Sequence, residues 1–114
     1  MSDLATKPPP NYGPTYAAAM YTELCVIARK FGYALAVHGS LARDLDLIAI
    51  PLVEDAGEPQ KIIDEVLAKW AVTLVGSVGR KPHGRTAYTL SCGWGHCAID
   101  LQFMPKSKGG DWNG

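Results

Sequence analysis

The chain has 114 residues, with 11 Lys plus Arg against 11 Asp plus Glu and 47% hydrophobic residues, enough for one packed core but not for a second, substrate-binding domain. Zero net charge excludes the overall basic field that holds a long nucleic acid, and a small ligand suits the balance better. There is no signal peptide or long apolar run, and Cys25, Cys92 and Cys97 lack metal-finger spacing; the expectation is a chain outside any membrane, in a reducing cytoplasm.

Residues 1–14 carry Pro8-Pro9-Pro10 and Pro14, which predict an extended N-terminal arm. From Thr15 to Phe31, Met20, Leu24, Ile27 and Phe31 recur at helical spacing, with Cys25 on the apolar stripe and Gly32 where a C-terminal cap belongs. Tyr33 to Val37 reads as a strand, and after a Gly39-Ser40 turn Asp44 to Leu52 reads as the next, with Leu47 to Ile50 buried. Pro59 suits the first turn of a second helix whose face is Ile63, Val66, Leu67 and Trp70.

Val72 to Val75 predicts a short strand, and Gly79 to Arg85 a loop. Thr86 to Ser91 and His96 to Met104 form a hairpin around Cys92-Gly93-Trp94-Gly95. Residues 106–114, rich in Gly and Lys, read as a flexible tail carrying Trp112. The sum is one α/β (α+β) domain over residues 15–105, a mixed sheet of four or five strands with two main helices mainly on one face.

The chemistry concentrates at strand starts. Asp44 and Asp46 stand at i and i+2, so on a strand they share a face. Two acids opening a buried strand are costly unless a cation neutralises them, and Mg²⁺ favours such oxygen ligands together with phosphate and water. On the last strand, Ile99, Leu101 and Phe103 alternate with Asp100 and Gln102, which makes Asp100 a candidate third acid. The competing structural reading makes Asp44 an exposed turn acid and Asp46 an ion-pair partner of Arg43 or Arg85.

A second loaded segment is Gly79 to Arg85, where Arg80, Lys81, His83 and Arg85 stand among Gly79, Pro82 and Gly84. Glycines let backbone N–H groups approach an anion and Arg forks match phosphate oxygens, so the segment predicts a phosphate-binding loop; the alternative is a solvated basic turn. His38, beside the turn, could donate to a phosphate or exchange a proton near neutral pH, or serve as a hydrogen-bonded strand-end residue. His96 beside Cys97 does not make a zinc site.

The apolar strand ending in Gly39-Ser40, the acid-x-acid pair Asp44/Asp46 and the later Asp100 resemble the nucleotidyltransferase-like fold. Tyr33 to Pro51, and Gly79 to Arg85 with Ala98 to Met104, resemble small uncharacterised bacteriophage proteins. The resemblance implies that Asp44, Asp46 and Asp100 form a catalytic, metal-binding triad for Mg²⁺. It also implies that Gly39 and Ser40 approach the phosphates; His38 and Arg43, close to them in the sequence, join the candidate phosphate-binding residues. Only Leu41, Ala42 and Arg43 separate Ser40 from Asp44, too few for the short helix that active nucleotidyltransferases carry there.

The expected function is therefore a nucleotide-binding protein of phage type, acting in the host cytoplasm. It sequesters or processes a small cyclic or modified nucleotide, with an anti-defence role implied by the resemblance alone. The alternatives are a Mg²⁺-dependent nucleotidyltransferase and a non-catalytic interaction protein on the same fold. A domain this small offers a shallow site, so a homo-oligomer, most simply a dimer, is expected.

Overall fold

The computed structural model describes residues 13–91 and 98–106. Helix α1, Gly13–Lys30, buries Tyr16, Met20, Leu24, Ile27 and Ala28 along one stripe, the helical repeat seen in the sequence. Gly13 and Pro14 belong to this helix rather than to the arm, because proline's fixed φ suits a first helical turn. Arg29 and Lys30 stand in the last turn, where their charge complements the helix dipole. Gly32 ends the helix at φ +90, its N–H bonded to Arg29 O at 3.0 Å. A Cβ there would lie 2.9 Å from Val53 Cγ2, so this turn needs glycine for space as well as for φ.

That turn leads directly into β1, Tyr33–His38, which pairs antiparallel with β2, Leu45–Pro51. Helix α2, Pro59–Lys69, follows with Pro59 in its first turn and Ile62, Ile63 and Val66 buried; Leu67 and Trp70 pack half-buried at the margin of the core. Strand β3, Thr73–Lys81, is much longer than the expected Val72–Val75. It takes in Gly79, Arg80 and Lys81 because they pair with Ala87, Thr86 and Arg85 on β4, Arg85–Ser91. The expected basic loop is thus a strand end, a tight turn at Pro82–Gly84 and a strand start.

Strand β5, Ala98–Phe103, returns antiparallel beside β4. The sheet order is β1-β2-β5-β4-β3, with β2 and β5 the parallel pair. The fold is α+β: two helices and a five-stranded mixed sheet among the described residues. Leu45, Leu47, Ala49, Leu90, Ile99, Leu101 and Phe103 face the helices, and Phe103 meets Tyr33 and Tyr88 edge-on with ring centroids 5.5 and 5.6 Å away. Cys25 packs half-buried against this core as a free thiol.

Lys106 is tied down rather than part of a free tail, its Nζ donating to Ala56 O at 3.1 Å and to Glu58 Oε2 at 2.9 Å. No helix among the described residues is long and apolar enough to cross a membrane. The rest of the arm and tail, with Trp112, and the hairpin residues Cys92, Trp94, His96 and Cys97 lie outside the described residues.

Candidate functional site

The parallel pairing of β2 and β5 is what assembles the acids. In that register Asp46 stands beside Asp100, with Cα atoms about 4.8 Å apart at ordinary strand spacing. Both project from the face opposite the core, because Leu45, Leu47, Ile99 and Leu101 take the alternate positions. The row continues through His38 on β1, which pairs with Asp46, and Thr89 on β4, which pairs with Asp100. Four adjacent strands thus present His38, Asp46, Asp100 and Thr89 side by side.

These surroundings perturb Asp46. Partial burial holds its carboxyl above the usual aspartate range, the neighbouring Asp100 and Asp44 raise it further, and His38 lowers it. Gly39, at φ +75, lies against it, and a Cβ on Gly39 would come within 2.6 Å of Asp46 Oδ2. Glycine here makes room for the carboxylate as well as for the backbone turn.

Asp44 is engaged differently. Its Oδ1 accepts the Ala98 N–H at 2.9 Å, so it clamps the start of β5 to the approach of β2. This bond supports the register that sets Asp46 beside Asp100. Asp44 is half-buried in this bond rather than an exposed turn acid, and among the described residues no three His, Cys, Asp or Glu side chains gather around a point that a metal ion could occupy. Two carboxylates side by side still match Mg²⁺, which keeps several waters and usually takes one or two carboxylates plus a ligand's phosphates.

The remaining candidates are dispersed. Ser40 Oγ accepts the Ala42 N–H at 3.2 Å and so closes its own turn, and Arg43 is exposed. Among the described residues no ion pair joins Asp46 to Arg43 or Arg85. The basic segment sits at the far end of the sheet. Arg85 lies four residues along β4 from Thr89, about 13 Å at strand rise, and its Nε donates to Pro82 O at 3.2 Å.

Strand alternation also splits the basic group, because Arg80 pairs with Thr86 on the helix side while Lys81 pairs with Arg85 on the opposite side. His83, at φ +67, forms the turn between them. The acids and the basic segment are therefore two separate features, not one phosphate-and-metal cradle. Gln102, which alternation in the sequence places on the side of Asp100 without marking it as a site residue, belongs with the acids, since it stands on their face two positions after Asp100. Comparison with protein-family models, with curated proteins and with solved structures finds no match to this chain.

Proposed function

We propose that the protein binds a small phosphorylated nucleotide on the sheet face opposite its helices, through a divalent cation held by Asp46 and Asp100, and sequesters or processes it. The observation that carries this reading is the juxtaposition of Asp46 and Asp100 across the parallel pair β2 and β5. Two like charges kept together at the cost of a raised carboxyl fit a site that a cation completes. When bound, the cation supplies the positive charge that offsets both the carboxylates and the ligand's phosphates. Asp46 and Asp100 hold it, while Asp44 fixes the strands that carry them.

Retention is favoured over transfer by the connection between β1 and β2. Residues 39–44 contain no helix, so the short helix on which a transferase builds its triphosphate cradle is missing from this connection. The resemblance to phage proteins supplies a context: a phage gains by removing a cyclic or modified nucleotide that its host uses as an alarm signal. A second copy of the chain over this shallow face would deepen the pocket, and light scattering that finds only monomers binding nucleotide tightly would refute that part.

Calorimetry with Mg²⁺ and nucleotides, repeated with chelator, tests the core of the reading. Binding that requires the ion and returns the nucleotide unchanged supports retention through a cation. Pyrophosphate release in the same mixture would instead establish a nucleotidyltransferase. Absence of binding to any nucleotide would leave an interaction protein on this fold.

A further inference from the structure

Two buried polar atoms flank the acid pair with no hydrogen-bond partner among the described residues, His38 Nε2 and Gln102 Oε1. Buried polar groups are nearly always paired, so an orphan calls for a ligand, an ion or a water. Gln102 is the sharper case, because its side chain is only 8% exposed and it lies on the face that carries the acids. It stands two residues after Asp100 on β5, about 7 Å along the strand.

Its surroundings differ from those of the acid row. Ile48 and Ala87 are its partners on the two neighbouring strands, Ala36 pairs with Ile48, and Gly79 pairs with Ala87. This row is therefore apolar apart from one amide. A flat ring fits such a floor, and the step of one pleat repeat to the acid row matches the reach from a base across its sugar to the phosphates.

Resting on the nucleotide reading above, we infer that Gln102 reads the base of the bound nucleotide and selects a 6-aminopurine, with Ala36, Ile48 and Ala87 as the floor beneath the ring. A primary amide pairs with the N7 edge of adenine through two bonds: its oxygen accepts from the exocyclic amine and its nitrogen donates to N7. Hypoxanthine carries a carbonyl in place of the amine and so presents two acceptors on that edge, O6 and N7; whichever way the amide turns, Gln102 Oε1 faces an acceptor and stays unpaired.

The test is the calorimetric affinity of the full chain for Mg·ATP and for Mg·ITP, measured on the parent, Gln102→Leu and Asp46→Asn. The parent is expected to prefer ATP by roughly tenfold or more. Gln102→Leu, which removes an unpaired amide and so should not lower the melting temperature, is expected to erase the preference by weakening ATP alone. Asp46→Asn is expected to weaken both nucleotides equally. Equal affinities on the parent, or a preference that survives in Gln102→Leu, would overturn the inference while leaving the cation site standing. Unchanged affinities in Asp46→Asn would overturn the cation site but not the amide's role, and binding of neither nucleotide would overturn both.

Discussion

Asp46 binds its proton more tightly in the native protein than in the unfolded chain, because burial, Asp100 and Asp44 together outweigh the lowering by His38. The linkage sign follows. This group's contribution to stability is fully present below the ordinary aspartate value of 3.8, is lost as pH rises through the higher native value, and stays lost at neutral pH. Asp46→Asn is therefore expected to raise the melting temperature near pH 7, with the gain shrinking in acid, while weakening cation-dependent binding. A drop in melting temperature at neutral pH would show that Asp46 is a structural partner instead. His38 and Asp46 could be singled out from the chain as neighbours of a turn, but their pairing across β1 and β2 depends on hairpin register, which no single residue specifies.

The turn from β1 to β2 is held by local chemistry. Gly39 takes a left-handed φ of +75, Leu41 follows at φ +58, and Ser40 Oγ accepts the Ala42 N–H. Gly39→Ala would place a methyl against Asp46 Oδ2 and strain the backbone, a cost of about 1–2 kcal/mol from the conformation alone. Thermal melts should show that loss, together with a weaker cation affinity as the carboxylate is displaced. The helices were legible from apolar spacing and from Pro59 and Gly32. Of strand β3 only the start was, because Gly76 and Gly79 interrupt its alternation, its register shifts between Val75 and Gly79, and its residues are mostly exposed; pairing to β4 rather than an apolar face makes the rest a strand.

At the scale of the molecule, stability rests on the sheet face under α1 and α2. Leu47 is fully buried at the sheet centre, whereas Val26 on α1 is 67% exposed. Leu47→Ala is expected to cost about 2–5 kcal/mol and Val26→Ala less than about 0.5 kcal/mol; denaturant titrations of the two variants would check the contrast. Val26 lines a groove of about 580 Å³ between the helices with Ile27, Ala68 and the Glu23–Lys69 pair. Its charged residues Glu23, Glu65 and Lys69 are all engaged in ion pairs, Glu65 with Lys30, so it offers a ligand less than the unpaired atoms across the sheet.

Local pattern alone determined the fold class, the two helices, most of the strands and the choice of Asp44, Asp46 and Asp100, because periodicity, prolines, glycines and acid spacing act within a few residues. Only the tertiary structure decided what those residues do together. Insertion of β5 between β2 and β4 places Asp100 beside Asp46 and turns Asp44 into a clamp on Ala98. The same order carries Arg85 away from the acids and sets Ile48 and Ala87 on either side of Gln102. Strand order and register arise from long-range pairing between segments more than fifty residues apart, and alternation along one strand carries no information about its neighbours.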